Sequence, residues 1–331
     1  MGLNQRAAAT LSAFMLAVAC AEPYQAARAQ RAPRPMPAPE VSFERGGSAV
    51  RIPFELGRNN HVFLRVGIND SEPLWFILDT GATTLISLGR AHSLGLKLRR
   101  GEDGFGAGEN AIEVSEIETA TLKLPGLSFR ERGISAIPDT SLPTSLDHRI
   151  DGLLGANFFR RFVVEIDYGA RTLTLRSPRG FRYSGGGERI PIRTAEDLIF
   201  ARAVVEPQRR APLSGWFAID SGGGHALLLN SPFVAAHNLL TPAQRANTSR
   251  VESTGGTAGV VVGESESLRL GRVRVERPQT LFSVAAAGMS ASEEFAGSIG
   301  AGVLRRFKVI FDYSRRTMIL ESDRRARPLR R

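Results

Sequence analysis

Two short acidic motifs hold the residues of this chain best suited to chemistry. They are Asp79-Thr80-Gly81 and Asp220-Ser221-Gly222, and each aspartate stands four residues after one of the two tryptophans of the sequence. If the two turns face each other, their carboxyl groups lie a few ångströms apart and share one proton, because ionising both is costly. One carboxylate can then act as general base on a water molecule while the other acts as general acid towards a carbonyl oxygen.

The residues beside each aspartate suit a close junction between two such turns. The hydroxyl groups of Thr80 and Ser221 can hydrogen-bond backbone across the junction and lock one turn against the other. Gly81 and Gly222 permit unusual backbone dihedral angles and the close approach of another chain segment. A single motif of this kind could merely cap a strand, whereas two in one repeating frame predict a pair of half-sites.

An internal duplication places the two motifs in register. Residues 150–175 and 295–320 align and share two glycines, a pair of arginines and the dipeptide Asp-Tyr. Upstream, Arg51–Phe54 recurs in altered form as Arg189–Ile192. A period this long indicates duplicated lobes rather than a solenoid.

Short apolar stretches interrupted by Gly, Pro and Asp predict an all-β fold. Helical patterns are brief and fall near residues 88–94 and 231–240, whereas Asp167 and Asp312 are expected in structural hairpin turns. Five stretches read as strands: Val62–Ile68, Trp75–Leu78, Ala120–Leu124, Phe162–Ile166 and Thr172–Leu175.

Composition divides the chain into six segments. We predict a signal peptide at 1–29, a Pro-rich linker at 30–46, an N-terminal lobe at 47–182, a Gly-rich interlobe linker at 183–188, a C-terminal lobe at 189–323 and a basic tail at 324–331.

The first 29 residues have the pattern of an export signal, with a basic residue, a short apolar run and small residues. They predict an exported protein, either periplasmic or extracellular. The only cysteine, Cys20, ends an imperfect lipobox, which leaves two alternatives. Ordinary cleavage is the favoured one; the other is lipidation of Cys20 and a membrane tether, as in an outer-membrane lipoprotein. In both cases the folded body has no cysteine, which excludes disulfides and thiol catalysis there.

The net charge of +10 resides mainly at the ends of the chain. Four arginines and two glutamates give residues 1–40 a charge of +2, and five arginines give residues 324–331 a charge of +5, which leaves about +3 on the body. We therefore expect no nucleic-acid partner. The histidines His61, His148 and His225 have no metal-binding spacing, and no cofactor or metal is predicted. His92 and His237 are expected to be exposed helix residues.

The chain resembles the pepsin/retropepsin group of aspartic peptidases over about residues 48–322. In that group each lobe carries two apolar residues before D-[ST]-G and, later, an apolar-apolar-Gly segment. These later segments are Leu153-Leu154-Gly155 and, less regularly, Ser298-Ile299-Gly300. Residues 300–320 also resemble the pattern that closes pepsin lobes. The resemblance implies duplicated acid-protease lobes around an interlobe cleft, with Asp79 and Asp220 as the catalytic pair.

Three departures from the group's pattern stand out. Gly223-Gly224 is unusual after the second motif, and no tyrosine occupies the expected flap. The candidate flap at 101–110 instead offers Phe105 and Gly106 among other glycines, and a second Gly-rich stretch at 253–263 suggests a matching flap in the C-terminal lobe. The arrangement resembles a retropepsin dimer fused into one chain.

The resemblance implies an aspartic endopeptidase that acts on polypeptides as a monomer. The alternative is a catalytically inactive protein of the same fold that binds peptides or envelope partners, and the Gly-rich second motif and missing flap tyrosine keep it open. Ala82 and Gly223 lack the hydroxyl group that, in pepsins, stabilises the charged aspartate. We therefore predict a weakly acidic to near-neutral pH optimum.

Overall fold

The computed structural model describes residues 41–195 and 197–322. The predicted signal peptide, Cys20 and the basic tail lie outside the described residues. Val41–Phe43, at the end of the predicted linker, is a strand that pairs with Leu127–Phe129, so these residues are part of the fold. No helix in the described ranges has the length and apolar character needed to cross a membrane.

Strands dominate both halves of the chain, which we define as residues 41–182 and 183–322. In the first half the strands are β1 (Val41–Phe43), β2 (Ala49–Pro53), β3 (Glu55–Leu56), β4 (Val62–Ile68), β5 (Leu74–Leu78), β6 (Leu85–Ser87), β7 (Leu98–Arg100), β8 (Gly104–Phe105), β9 (Ala111–Ile112), β10 (Ser115–Leu124), β11 (Leu127–Ile137), β12 (Gly152–Leu154), β13 (Val163–Asp167) and β14 (Thr172–Arg176). In the second half they are β15 (Glu188–Ala195), β16 (Leu198–Pro207), β17 (Leu213–Asp220), β18 (Leu227–Leu229), β19 (Ser249–Ser253), β20 (Gly256–Leu270), β21 (Val273–Glu276), β22 (Gln279–Ser283), β23 (Gly297–Gly300), β24 (Phe307–Asp312) and β25 (Thr317–Ser322).

The first half forms a sheet that closes on itself. Strand β11 pairs antiparallel with β10 and parallel with β6, and β10 pairs with β4. Strand β12 lies between β5 and β6, parallel to β5 and antiparallel to β6. The six residues between β5 and β6 contain the first acidic motif, so this motif emerges from the middle of the sheet.

The second half repeats this pairing pattern strand for strand. Strand β22 pairs antiparallel with β20 and parallel with β18, and β20 pairs with β16. Strand β23 lies between β17 and β18 with the same two orientations. The second acidic motif therefore leaves its sheet at the equivalent place, because Asp220 is the last residue of β17.

A third antiparallel layer contains strands from both halves. Its order is β2-β14-β13-β24-β25-β15, with three strands from each half. The central pair joins β13 to β24, with Val164 opposite Phe311 and Ile166 opposite Val309. The recurring segments of the sequence supply β13, β14, β24 and β25, so the duplication in the sequence corresponds to the two sides of this layer.

The helices are short and lie at strand ends. They are α1 (Leu88–Ser93), α2 (Ala156–Arg161), α3 (Ser231–Ala236), α4 (Pro242–Arg245) and α5 (Ala301–Leu304). Asp167 and Asp312 accept backbone N–H groups from Ala170 and Arg315 in the two predicted turns, at 2.8 and 3.1 Å. The mostly-β, two-lobed fold expected from the sequence is confirmed.

Hydrogen bonds of a tyrosine fix the predicted interlobe linker in place. The hydroxyl group of Tyr183 accepts the N–H of Gly187 at 2.7 Å and donates to Glu321 at 2.6 Å. Glu188, the last residue of the predicted linker, already belongs to β15. The connection between the halves is therefore held against the shared layer.

Candidate active site

Each motif aspartate is held by the apolar-apolar-Gly segment of its own half. The N–H of Asp79 donates to the carbonyl of Leu154 at 2.9 Å, just beyond the register of β5 with β12. Asp220 lies opposite Gly300 in the register of β17 with β23. The two segments named from the sequence therefore brace the two aspartates from equivalent sides.

The two turns are locked together by four hydrogen bonds between the halves. The N–H of Thr80 donates to Ser221 Oγ at 3.0 Å, and the N–H of Ser221 donates to Thr80 Oγ1 at 2.9 Å. Each hydroxyl group then donates to a carbonyl group of the other half, Thr80 to Ile219 at 2.6 Å and Ser221 to Leu78 at 3.0 Å. Both side chains are fully buried, so these bonds do not compete with solvent.

The interlock brings the carboxyl groups of Asp79 and Asp220 into hydrogen-bond contact with each other. Asp79 also accepts the N–H of Gly81 at 2.7 Å through Oδ1, and the backbone N–H of Gly222 from the other half. Asp220 accepts the N–H of Gly223 at 2.7 Å. The structure thus collects both predicted aspartates and their supporting residues in one place.

The motif glycines are required by space rather than by backbone angle. A β-carbon on Gly81 would lie 2.9 Å from Asp220 Oδ1, and one on Gly222 would lie 2.2 Å from Asp79 Cγ. Each glycine therefore packs against the aspartate of the opposite half. Any side chain at either position would displace a carboxyl group.

The environment of Asp79 favours its neutral form. Burial raises the pKa of Asp79 most, and the neighbouring charge of Asp220 raises it further, whereas the N–H groups of Gly81 and Gly222 partly oppose the shift. The pair therefore retains a proton at pH values where an exposed aspartate is ionised.

Two histidines that the sequence offered only as isolated residues lie beside Asp220. His225 Nε2 is 2.8 Å from Ser298 Oγ. A β-carbon on Gly223 would lie 2.4 Å from Asp220 Oδ2 and 2.5 Å from His225 Cε1, so carboxylate and ring border the same small space. His61, from the first half, lies beside the backbone of Gly222. Metal-ligand spacing in the sequence could not place these histidines at the site, because what brings them there is proximity to a carboxyl group rather than a spacing between ligands.

A signal for His225 was nevertheless present in the sequence. Ser298 stands where the first half has the buried apolar residue Leu153, and the two strands have the same register relative to their aspartates. Ser298 and His225 are both half-buried, and the Ser298 hydroxyl group at that position has the His225 ring as its hydrogen-bond partner.

The Gly223-Gly224 pair accommodates a loop of the first half. A β-carbon on Gly224 would lie 2.4 Å from the carbonyl oxygen of Asn59, and Asn60 Nδ2 donates to the carbonyl of Gly224 at 2.9 Å. The departure from the family pattern is therefore a packing requirement of the site.

The two predicted flaps meet each other. The first is the hairpin of β8 and β9, and the second is the hairpin of β19 and β20. The N–H of Gly108 donates to Thr254 O and that of Asn110 to Gly255 O, both at 3.0 Å. A β-carbon on Gly106 would lie 2.1 Å from Thr254 O, whereas Phe105 leaves 56% of its surface exposed. The flap tips therefore form a backbone-to-backbone contact that only small residues allow.

Apolar residues connect the first flap to the turn of the first acidic motif. Ile112 of β9 belongs to a buried cluster with Ile77 and Leu85, which lie on either side of the first motif, and Ala82 packs against the same cluster. From the second half, Met289 donates its N–H to the carbonyl of Gly106 at 3.1 Å.

The remaining candidate residues have structural surroundings. Trp75 and Trp216 each lie under an arginine, with Arg65 4.6 Å and Arg193 4.2 Å from the ring centres. His92 is exposed on α1. Within residues 41–195 and 197–322, no group of three His, Cys, Asp or Glu side chains is arranged to hold a metal ion.

Comparison with known proteins agrees with this geometry. Residues 64–158, which include the first motif and its bracing strand, match the family model described as aspartyl protease. Over these residues the chain is similar to aspartyl proteases, and the second half repeats their strand pairing. The match supports a protease function in general.

Two further searches complete the comparison. No curated protein matches the sequence. Among solved structures, the aspartic proteinase from Irpex lacteus is similar with a TM-score of 0.47 and 13% identity, over 83% of this chain and 98% of that one.

Proposed function

We propose that this protein is an aspartic endopeptidase that hydrolyses peptide bonds with a water molecule activated between Asp79 and Asp220. The observation that carries the proposal is the reciprocal interlock of Thr80 and Ser221, which holds two carboxyl groups from different halves in contact. Two half-buried carboxyl groups held in contact destabilise the folded state, and pairs perturbed in this way are concentrated at functional sites.

The proposed reaction needs only the shared proton. The ionised carboxylate removes a proton from the water as its oxygen attacks the peptide carbonyl carbon, and the protonated carboxyl group donates its proton to the carbonyl oxygen. A tetrahedral intermediate results. As it collapses, the carboxylate takes a proton from a hydroxyl group of the intermediate while the protonated carboxyl group donates its proton to the nitrogen of the breaking C–N bond, so the pair again holds one proton.

The flaps suggest how a polypeptide reaches the pair. Because Gly108 and Asn110 are hydrogen-bonded to the opposite flap, we expect these bonds to break before an extended chain can enter. The freed backbone groups can then pair with the backbone of the substrate. The raised pKa of Asp79 supports a weakly acidic to near-neutral optimum, because the singly protonated pair then survives to higher pH.

The direct test is hydrolysis of unfolded casein by the wild-type protein and by Asp79→Asn and Asp220→Asn. Both substitutions keep the size of the side chain and remove its charge, so we expect no turnover from either. Asp70→Asn is the matched control, because the Asp70 side chain is exposed and is paired with Lys123, and it should keep wild-type turnover. Near-wild-type turnover by either motif variant would refute the proposal.

The alternative of a non-cleaving binding protein predicts a different outcome. In that case the wild-type protein leaves casein intact, yet a fluorescent unfolded polypeptide shows raised anisotropy in its presence. Cleavage that disappears in the Asp79→Asn variant excludes this alternative.

We also propose export, on the sequence of residues 1–29 alone. Mass spectrometry of the mature N-terminus distinguishes a diacylated Cys20 from a free end near Ala21 or Gln30. Recovery of the intact Met1 form as the working protein would contradict export.

A further inference from the structure

The two carboxyl groups of the pair have different neighbours. Around Asp79 the hydrogen-bond donors are backbone N–H groups, from Gly81 and Gly222. Asp220 has one backbone donor, Gly223, and in addition faces the His225 ring across the space that a side chain on Gly223 would fill. The structure therefore has an ionisable base on one side of the pair, within the described residues.

His225 is fixed in place by its own partner. Its Nε2 is bonded to Ser298 Oγ at 2.8 Å, and the Nδ1–Cε1 edge of the ring borders the space next to Asp220 Oδ2. Protonation of the ring at Nδ1 would therefore put a positive charge close to the Asp220 carboxylate. The equivalent strand position in the first half is Leu153, which offers no such partner to a ring beside Asp79.

His61 adds a second imidazole from the opposite half. It is 9% exposed and lies beside the backbone of Gly222, the residue between Ser221 and Gly223. A β-carbon on Gly224 would lie 3.3 Å from His61 Cε1, so the ring packs directly on the second motif. Both histidines thus lie on the Asp220 side of the site.

We propose that His225, held by Ser298 and accompanied by His61, is a positioning residue that takes up a proton on acidification and so keeps Asp220 ionised. On this assignment, which rests on the proposed function, Asp220 is the general base on water. Asp79 then carries the shared proton and donates it to the carbonyl oxygen.

Of the charges that face the two rings, that of Asp220 favours their protonation and acts against the larger effect of burial. Burial lowers the pKa of both histidines, and the charge of Asp220 opposes that shift in each case. The charge of Asp147, which is paired with Arg58 at 2.5 Å, also favours protonation of His61. A protonated His225 disfavours it. Asp220 is thus the one charged group that favours protonation of both rings.

Histidine NMR titration tests the electrostatic part without requiring hydrolysis. In Asp220→Asn we expect the imidazoles of His225 and His61 to titrate at lower pH than in the wild-type protein, because the carboxylate that favours their protonation is gone. Asp79→Asn removes the carboxyl group that the proposal treats as neutral. In that variant neither imidazole should titrate at a lower pH than in the wild-type protein. Unchanged titration in Asp220→Asn, or an equal fall in both variants, would overturn the proposal.

The pH profile of kcat/KM tests the catalytic part. In His225→Asn we expect the acidic limb to move up by roughly one pH unit, as for loss of an opposite charge a few ångströms away, with the alkaline limb nearly fixed. Ser298→Ala keeps the His225 ring but removes its hydrogen-bond partner, so it should shift the acidic limb by less. This variant tests the proposal if His225→Asn does not fold. His92→Asn, at an exposed histidine, is the control and should leave the profile unchanged.

The outcomes separate this proposal from the proposed function. Absence of hydrolysis in the wild-type protein refutes the endopeptidase assignment, whereas the NMR titration still decides which carboxyl group the histidines serve. Hydrolysis with an acidic limb that does not move in either variant refutes the role of His225 alone.

Discussion

The two halves of the site have the same backbone and different chemistry behind each carboxyl group. Thr80 and Ser221 exchange equivalent hydrogen bonds, and β12 and β23 brace the aspartates in the same register. Beyond the motifs the halves diverge, because Ala82 follows the first motif and Gly223-Gly224 the second. The comparison teaches that the repeated backbone holds the carboxyl groups together, whereas the residues that differ between the halves give each carboxyl group different neighbours.

The largest expected effect comes from filling the space between the halves. Gly222→Ala should lower kcat/KM by about 100-fold or more, because its β-carbon would overlap Asp79 Cγ, and displacements near 1 Å are enough for such losses. Gly81→Ala should lower kcat/KM by less, because its β-carbon would lie 2.9 Å from the nearest atom, Asp220 Oδ1. Enzyme kinetics on a fluorogenic peptide measures both.

A matched control for these variants is Gly186→Ala, since a β-carbon there has no neighbour within 4 Å. It should keep wild-type kinetics and stability. Gly222→Ala with unchanged kcat/KM would mean that Asp79 can move freely, contrary to the close packing of the junction.

The interlock should matter most for stability. Thr80→Ala leaves the buried N–H of Ser221 and the carbonyl of Ile219 without their partner, so we expect the free energy of unfolding to fall by about 2–4 kcal/mol. Ser221→Ala removes two equivalent bonds and should cost a similar amount. Urea unfolding measures both.

The control is Thr80→Ser, which keeps the hydroxyl group and should change the free energy of unfolding by about 1 kcal/mol or less. If Thr80→Ala and Ser221→Ala lower the free energy of unfolding by unequal amounts, the two sides of the junction contribute unequally to stability, even though their hydrogen bonds are equivalent.

A smaller effect concerns the pH dependence of stability. The pKa of Asp79 is raised in the folded state above its unfolded value, so its stabilising effect is complete below the unfolded pKa, near 4, and is lost as pH rises through the folded pKa. Asp79→Asn cannot ionise and should therefore gain in melting temperature relative to the wild-type protein as pH rises from 4 to alkaline values. A constant difference across that range would contradict the raised pKa.

The smallest effect is expected at the flaps. A β-carbon on Gly108 would lie 2.4 Å from Gly255 O, so Gly108→Ala should separate the tips and speed amide exchange of Asn110, with little change in global stability. Gly104→Ala lies in the same hairpin with no neighbour within 4 Å and is the control. Exchange of Asn110 that stays slow in Gly108→Ala would show that the tips do not depend on this contact.

Much of the framework followed from local pattern. The strand Val62–Ile68 was predicted with its bounds, and α1 falls where a brief helical pattern stood, because alternation, chain breakers and capping act over a few residues. The meeting of the two motifs was also predictable, since duplication turns one local pattern into two related positions.

The parts that could not be predicted depend on contacts between distant residues. His61 and Gly222 are far apart in the sequence and belong to different halves, so no spacing rule links them. Gly223-Gly224 looked like a weakened motif until the loop at Asn59 and Asn60 was seen against it. Likewise, two Gly-rich stretches suggested two flaps but not that their tips bond to each other.

The shared layer has a consequence for any attempt to divide this chain. Separation at the interlobe connection would expose β13 of one fragment and β24 of the other as edge strands, each with buried apolar residues and unpaired backbone groups. A first-half fragment would then satisfy that edge by pairing β13 antiparallel with β13 of a second copy, as a two-fold symmetric homodimer. The pairing of β13 with β24 is therefore the contact that a dimer of two first-half fragments would most readily replace.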